Sequence, residues 1–367
     1  MPSSTGSDPQ PSEEPTSPRP TLSRRDLLKT LTAASALVGW SLLPGHLRSG
    51  EDSRASAEAS QTWKLAAPLR RDGVVVIVRS PSAIGGRRRV NAGVVERMVG
   101  EGVTRLTGVS DPAQAWRRFF APSDIIGIKV NCLGAPVTRT HVEVTMAVAT
   151  GLKRAGVAAH NLIIYDRSTD ELRRAGYPVN TGSGLRCYGT DRRGYDDEPT
   201  VAGEVGSCYS RILSEDCTAL INVPLLKDHD MAGVSISLKN HFGSINNPNK
   251  LHLDRCCPYA ADVNLAPVIR KKQRLVICDA LEVIYDGGPT YRPGSTSNYG
   301  ALLIGTDPVA LDRVGWQIIE GLRAKAKLKP LRAVGREPRY IAVAGDSQHR
   351  LGVADLARIK RIAVTTA

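Results

Sequence analysis

Short runs of β-branched and aliphatic residues alternate with longer amphipathic stretches over most of this chain. The runs have the length of strands, and the stretches between them repeat their apolar positions at helical spacing. The predicted strands are Val74 to Val78, Ile125 to Val130, Leu162 to Tyr165, Ala219 to Val223, Leu275 to Cys278, Ala301 to Ile304, Tyr340 to Val343 and Ile362 to Val364. The predicted helices are Ala92 to Leu106, Val142 to Ala155, Val205 to Leu213, Ala261 to Lys271 and Pro308 to Ala324. This alternation predicts an α/β fold with mostly parallel sheets flanked by helices, and it leaves open two lobes with a cleft between them.

The polar stretch 181–200 interrupts this alternation, because it is rich in glycine and charged residues. We interpret it as a loop, an insertion or a lobe boundary, with a β-hairpin as a further option. Residues 62–367 are long enough to bury a large core, as one large or two moderate domains.

The amino terminus carries a pattern that resembles a twin-arginine export signal. Arg24 and Arg25 precede a nearly uncharged stretch from Thr30 to Gly45, and the small residues Ala55 to Ala57 suit a cleavage site. The apolar stretch is shorter than the roughly 20 residues that span a bilayer. The resemblance implies that residues 1–57 are a disordered leader and signal peptide, that the twin-arginine translocase is a partner, and that the protein is periplasmic or extracellular.

The formal net charge of +13 lies outside this leader, since residues 1–57 contain equal numbers of basic and acidic residues. A mature protein this basic attracts anions, which outside the cytoplasm means lipid head groups, wall polymers or small anionic ligands. Aromatic residues make up only 5% of the chain and no nucleic-acid-binding motif is present, so no specific nucleic-acid partner is predicted. A basic solvated surface without a partner is the simpler alternative.

The cysteines argue against a cluster-binding protein. There are seven, and no two of them have the C-x-x-C spacing. Iron–sulfur clusters and structural zinc sites usually draw on closely spaced thiolates, so neither is predicted. The residues leave a metal ion as a cofactor option, and a metal-nucleotide enters only through a family resemblance given below.

The densest group of reactive side chains lies between Asn222 and Asn247, directly after the predicted strand Ala219 to Val223. The carboxyl ends of parallel strands form the ligand-binding edge of open α/β sheets. The group consists of Lys227, Asp228, His229, Asp230, Lys239, Asn240 and His241. Its position and composition predict a functional site.

Several roles fit this group. A histidine and a partly desolvated lysine can move protons near neutral pH, which makes His229, Lys239 and Lys227 the predicted catalytic residues. The predicted cofactor-binding residues are Lys239, Asn240, Lys129 and Asn131. The predicted metal ligands are His229, His241 and Asp228, with Asp230 as the alternative carboxylate. Alternatively, the lysines and backbone amides hold an anion without turnover. In the plainest interpretation, His229 and Asn240 only satisfy buried backbone groups.

Polar residues at other strand ends extend the predicted site. Lys129 lies inside the strand sequence IIGIKVN, where burial without an anionic partner would be costly. Asp166 and Asp279 follow two further strands and should face the same edge if the sheet is parallel. Asp307 is predicted to cap a helix, whereas Asp312 lies too far along that helix to be a cap.

Four blocks of this sequence resemble the family known as domain of unknown function 362. They are IKVN at 128–131, NVPLLKDH at 222–229, GVSISLKNHFG at 233–243 and GTDPVALD at 305–312. Members often follow twin-arginine signals, and some carry ferredoxin-type cysteine clusters that this sequence lacks. The resemblance implies that this chain belongs to a family whose chemistry is unassigned.

A shorter block is similar to the nickel-dependent lactate racemases, in which a lysine tethers a nickel-pincer nucleotide. The block runs from His229 to Ser235 and includes Lys239. This similarity implies that His229 is an acid/base group and that Lys239 attaches a cofactor or substrate. The third histidine of such a site would be His141, His241 or His252.

Together these observations predict an exported enzyme, racemase-like or redox-associated, that acts on a small anionic substrate by proton transfer through lysine and histidine. The alternative is a non-catalytic extracytoplasmic protein that binds an anion or a metal.

Overall fold

The computed structural model describes residues 65, 67–289 and 291–367. The strands are β1 (Val74–Arg79), β2 (Ile126–Lys129), β3 (Leu162–Tyr165), β4 (Arg186–Cys187), β5 (Thr200–Ala202), β6 (Val205–Ser207), β7 (Ala219–Asn222), β8 (Leu225–His229), β9 (Gly233–Ser235), β10 (Gln273–Ile284), β11 (Thr296–Gly305) and β12 (Lys360–Thr365). The helices are α1 (Ala92–Thr107), α2 (Pro112–Arg117), α3 (Val142–Arg154), α4 (Thr169–Arg174), α5 (Thr190–Arg193), α6 (Ser237–Asn240), α7 (Tyr259–Asp262), α8 (Pro267–Arg270), α9 (Pro308–Lys325) and α10 (Tyr340–Ala344). The leader and signal predicted for residues 1–57 lie outside the described residues, and that prediction stays untested.

One large mixed sheet organises the protein. Its strand order is β12-β1-β11-β10-β7-β2-β3-β4, with β8 paired to β10 and to β9. The pairs β12/β1, β10/β7, β7/β2, β2/β3 and β3/β4 are parallel, and β11 runs antiparallel to both of its neighbours. The predicted α/β fold with a mostly parallel sheet flanked by helices is therefore confirmed.

The long strand β10 pairs with two different parallel strands along its length. The second of these, β8, carries polar residues at the edge of the sheet. Its first residues pair with β7 and its later residues pair with β8. Pro224 lies between β7 and β8, where it cannot donate to a ladder, and its carbonyl oxygen accepts the Asp279 amide at 2.8 Å. The chain therefore continues past the end of β7 as a second short strand.

Helices cover both faces of the sheet, and alternate strand residues enter two separate cores. Val76 and Ile128 face the core that includes α1 and α3. Val75 and Cys278 face the opposite core, which includes α9 and α10. Burial on both faces explains why the strands are continuous apolar runs in the sequence.

The two longest helices begin where their capping residues predict. The Asn91 side chain accepts the Val94 amide at 3.3 Å at the start of α1. Asp307 caps α9 by accepting the Ala310 amide at 2.9 Å, with Pro308 at the first helical position. The predicted capping role of Asp307 is confirmed, and its second oxygen also accepts the amides of Gly73 and Val353.

Three secondary-structure predictions were wrong. The run Tyr340 to Val343 forms helix α10 instead of a strand, because a short apolar run fits both structures. Val205 to Leu213 contains strand β6, which forms a hairpin with β5, followed by a π-helical turn. The predicted helix Ala261 to Lys271 is broken, because Pro267 has no amide hydrogen to continue a helix and begins a new one, α8.

The polar stretch 181–200 contains β4 and α5 and ends at the first residue of β5. Within the described part of the chain, no helix has the length and apolar character needed to cross a membrane.

Candidate functional site

A cavity of about 430 Å³ opens at the carboxyl ends of β2, β3 and β8. Asn131 follows β2, Asp166 follows β3, and Lys227 and His229 lie on β8. Lys239 and Asn240 reach the same cavity from α6. We call this cavity the pocket. It brings together the three side chains predicted as catalytic at the sheet edge where α/β proteins bind ligands.

Alternation along β8 decides which of its polar residues face the pocket. Lys227 and His229 are two residues apart and both line it, whereas Asp228 between them points to the other side of the strand. There Asp228 is fully buried and accepts hydrogen bonds from the Arg336 guanidinium at 3.0 and 3.1 Å and from the Gly288 amide at 3.1 Å. One face of β8 is therefore held in place by the contacts of Asp228, and the opposite face presents Lys227 and His229 to the pocket.

The two pocket lysines, Lys227 and Lys239, are buried amines. Lys227 donates to Asn131 Oδ1 at 2.8 Å, and burial, followed by the nearby charge of Lys239, lowers its pKa to about 8. Lys239 Nζ lies 3.2 Å from His252 Nε2 and 4.3 Å from the centre of the Phe242 ring. Burial lowers the pKa of Lys239 to about 8 as well. Both amines can therefore bind an anion as ammonium groups and can release a proton near neutral pH.

Of the three carboxylates in the pocket wall, Asp166 and Glu171 are already paired with other cations, and the third, Asp230, is exposed. Asp166 lies 2.7 Å from Lys129 Nζ, and Glu171 lies 2.5 Å from Arg167. Neither pocket lysine is within ion-pair distance of a carboxylate among the residues that the structure describes. The pocket thus presents two cations whose charge a bound anion would neutralise.

His229 is held as a neutral hydrogen-bond donor. Its Nδ1 accepts the backbone amides of Met231 and Ala232, both at 3.2 Å, so the ring hydrogen is on Nε2. The exposed Asp230 carboxylate is 3.1 Å from Nδ1 but accepts the Met231 amide and forms no ion pair with the neutral ring. Burial, followed by the charges of Lys239 and Lys227, lowers the pKa of His229 to about 2.

We expect the His229 ring to stay neutral between about pH 5 and pH 8, with the hydrogen on Nε2 throughout. The measurement is a pH titration of the imidazole nitrogen signals by NMR. His349 is the internal control, because its hydrogen bonds to Asp346 and Asp262 outweigh its burial and raise its pKa, so it should titrate in the same spectra. A His229 signal that titrates near its ordinary value of 6.5 would contradict this assignment.

His252 completes the pocket, although the sequence offered it only as one of three options for a third histidine. Its Nδ1 lies 3.2 Å from the Pro248 carbonyl oxygen and therefore carries the hydrogen, which leaves Nε2 to accept from Lys239. The ring stacks on His229 with 5.7 Å between centroids. His252 comes from an irregular 3-10 segment, Pro248–Cys256, whose spacing gives no periodic signal.

Lys129 supports the pocket from behind. Its ammonium group is fully buried and donates to Val130 O at 2.6 Å and to Asp166 Oδ1 at 2.7 Å. A Cβ at Gly243 would lie only 2.8 Å from Asp166 Oδ1 and 2.9 Å from Lys129 Nζ, so a glycine is needed for this close packing. Because Lys129 has no exposed surface, it cannot contact a cofactor in the way the sequence predicted.

A chain of side-chain amides connects Lys129 to the pocket. Asn240 Oδ1 lies 3.4 Å from Lys129 Nζ and accepts from Asn131 Nδ2 at 3.1 Å. Asn240 Nδ2 in turn donates to Asn222 Oδ1 at 2.8 Å. Asn131 and Asn240 both line the pocket, so of the four predicted cofactor-binding residues they and Lys239 could contact a bound molecule.

The three predicted metal ligands do not converge. His229 faces the pocket, Asp228 faces Arg336, and His241 is fully buried with Nε2 at 2.8 Å from Gln273 Oε1. Over residues 67–289 and 291–367, no group of three or more His, Cys, Asp or Glu side chains is placed to hold a metal ion. The geometry gives the predicted set His229, His241 and Asp228 no common centre.

Asp312 explains how α6 is held in place. Its carboxylate is fully buried and accepts the backbone amides of Ser237 at 2.8 Å and Leu238 at 3.1 Å, together with the Ser237 hydroxyl. These contacts fix the first turn of the helix that carries Lys239 and Asn240. The residue that the capping pattern left unexplained is thus a support for the pocket.

Comparisons with known proteins support the family resemblance. No curated protein matches the chain. Among solved structures, it is similar to a protein from Thermotoga maritima determined in a structural genomics programme, with 12% identity and a TM-score of 0.38. The match covers 65% of this chain, which spans 60% of that protein's length. Residues 126–317, which include β2 to β11 and most of α9, match a family described as a domain of unknown function. The chain belongs to this family, DUF362.

Proposed function

We propose that this protein is an exported enzyme that binds a small carboxylate in the pocket and transfers a proton to or from it. The observation that carries the proposal is the pair of buried ammonium groups, Lys227 and Lys239, which share one pocket and have no carboxylate partner among the described residues. Export is supported by the paired arginines of the amino-terminal sequence.

Lys227 is the anchor for the carboxylate in this proposal. Its Nζ is oriented by Asn131 Oδ1, and two of its hydrogens remain for a ligand. His229 offers its Nε2 hydrogen to a second oxygen of the substrate, because Nδ1 is occupied by two backbone amides. A charge-assisted bond from the lysine with a neutral bond from the histidine would orient the bound carboxylate.

Lys239 and His252 move the proton. Lys239 has a pKa of about 8, so about a tenth of it is the free amine at pH 7, and this form can accept a proton from the carbon next to a carboxylate. The resulting ammonium group can donate to His252 Nε2, and the Pro248 carbonyl oxygen stabilises the hydrogen on Nδ1. His252 is only partly buried and connects this pair to solvent. In this proposal His252, instead of His229, is the histidine that takes part in acid/base chemistry.

The direct test is hydrogen exchange in D₂O. We expect the wild-type protein to exchange the α-hydrogen of some members of a panel of 2-hydroxy, 2-amino and 2-oxo carboxylates, followed by proton NMR. Lys239→Met should abolish exchange, and Lys227→Met should raise KM by about 10- to 100-fold, because a hydrogen bond to a charged group contributes about 1.5–3 kcal/mol. Lys250→Met is the matched control, since Lys250 is exposed and bonds only to the Gly206 carbonyl oxygen.

The same preparation separates the alternatives. Binding without exchange would favour a non-catalytic anion-binding protein. Protein made in a host with an intact twin-arginine system also tests export by its location. Elemental analysis and intact mass would show whether a metal or nucleotide is attached, and loss of an adduct in Lys239→Met would assign it to this lysine.

A further inference from the structure

A second cavity adjoins the pocket at its outer end. Its volume is about 470 Å³, similar to that of the pocket itself. The two cavities share Asp230, Met231, Asn249 and His252 in their walls. They are therefore consecutive parts of one groove, and a molecule that leaves the pocket past His252 enters the second cavity.

Apolar side chains are exposed along this groove. Leu253 is 69% exposed in the second cavity, Met231 is 40% exposed in the shared wall, and Leu133 is 44% exposed at the pocket. Large apolar side chains grouped around a cavity mark binding surfaces, because each leaves contact area in water that a ligand could cover. The inner end of the groove carries Lys227 and Lys239, whereas its outer end exposes Leu253 and Met231 beside the charged side chains of Asp230, Asp254 and Arg255.

The backbone holds Leu253 in this position at an energetic cost. Asp254, Arg255 and Cys256 follow it with φ angles of 40°, 58° and 64°, in the left-handed region that residues other than glycine rarely adopt. The Arg339 guanidinium lies 2.5 Å from Asp254 Oδ1 and fastens this turn to the segment before α10. Such backbone persists where the surroundings enforce it, often at ligand-binding sites.

We propose that the second cavity binds the apolar arm of a substrate whose carboxylate lies at Lys227 in the pocket. The substrate class is then a carboxylate with an aliphatic or aryl arm, instead of a two- or three-carbon acid. The assignment rests on the proposed function for the carboxylate, and on the continuity of the two cavities for the arm.

The test uses straight-chain carboxylates from acetate to octanoate, titrated calorimetrically at fixed ionic strength. We expect Kd to fall by roughly two- to fourfold for each added methylene that enters the groove, as burial of a methylene predicts. Leu253→Ser and Met231→Ser should each flatten this dependence on chain length. Val201→Ser is the control, because Val201 is equally apolar and 75% exposed but lies in the β5 hairpin, away from the groove.

The outcomes separate this inference from the proposed function. Equal affinities for short and long carboxylates would overturn the apolar arm and leave the carboxylate site intact. No binding at any length would overturn both. Primary alcohols that bind as tightly as carboxylates of equal length would support the apolar cavity but overturn the role of Lys227. A dependence on length that survives Leu253→Ser and Met231→Ser would place the arm elsewhere and overturn the inference.

Discussion

Replacing Lys129 by methionine is expected to lower the free energy of unfolding by about 3–5 kcal/mol, the cost of leaving a buried carboxylate without its cation. Asp166 would keep the Cys132 and Arg167 amides as donors but would lose the ammonium group at 2.7 Å. The methionine fills nearly the same volume, so the loss would be mainly electrostatic. Urea denaturation measures the change.

Lys153→Met controls for the loss of a lysine, because Lys153 is exposed near the end of α3 and should change stability by less than about 1 kcal/mol. The double variant Lys129→Met with Asp166→Leu should recover part of the loss, since it removes the unpaired carboxylate. A loss below about 1 kcal/mol in the single variant would show that this ion pair contributes little to stability.

Asp312→Ala is expected to cost about 3 kcal/mol at pH 5, because two buried amides and a hydroxyl lose their acceptor. Burial raises the pKa of Asp312 to about 7 from its ordinary value of 3.8, although the hydrogen bonds oppose this shift. Between about pH 4 and pH 7, Asp312 is therefore protonated in the folded protein and ionised in the unfolded chain. The contribution of that proton to stability is complete below about pH 4 and declines as the pH rises to about 7.

The stability difference between wild type and Asp312→Ala should therefore be larger at pH 5 than at pH 8, as measured by urea denaturation at both values. Affinity for carboxylates should fall too, because the variant loosens the turn that carries Lys239. Asp355→Ala is the matched control, since Asp355 is exposed and accepts only the Ala357 amide. Equal deficits at both pH values would contradict the raised pKa of Asp312.

Local patterns in the sequence were sufficient to predict the bounds of the helices that have strong capping residues. Helix α9 was predicted from Pro308 to Ala324 and extends to Lys325, because an aspartate cap, a proline and a regular apolar face all agree. The short helices α7 and α8 have no such agreement, and the prediction merged them. Local signals therefore predicted long elements better than short ones.

The candidate site was predicted in part for a similar reason. Lys227, His229 and Lys239 are close in sequence, and the strand before them indicated the correct edge of the sheet. The prediction of Asp228 as a metal ligand was misled because the polar residues of β8 gave no sign of a strand, so their alternation was not recognised. The contact of Asp228 with Arg336 joins residues 108 positions apart, which no local pattern encodes.

The pairing of Lys129 with Asp166 shows the same limit. Lys129 ends β2 and Asp166 directly follows the neighbouring strand β3, and the register of these strands places Lys129 beside Tyr165. Burial of the lysine predicted an anionic partner, but the choice among the available aspartates depends on strand order. That order is a property of the whole sheet and is set by packing between distant segments.

The position of β1 has a consequence for the order in which the protein is made. β1 lies between β11 and β12, so both of its neighbours come from the carboxyl-terminal part of the chain. During synthesis β1 is made before both of its neighbours. It has no strand partner until β11 and β12 have been made. β1 can therefore pair only after β11 and β12, the last two strands of the described residues, have been synthesised.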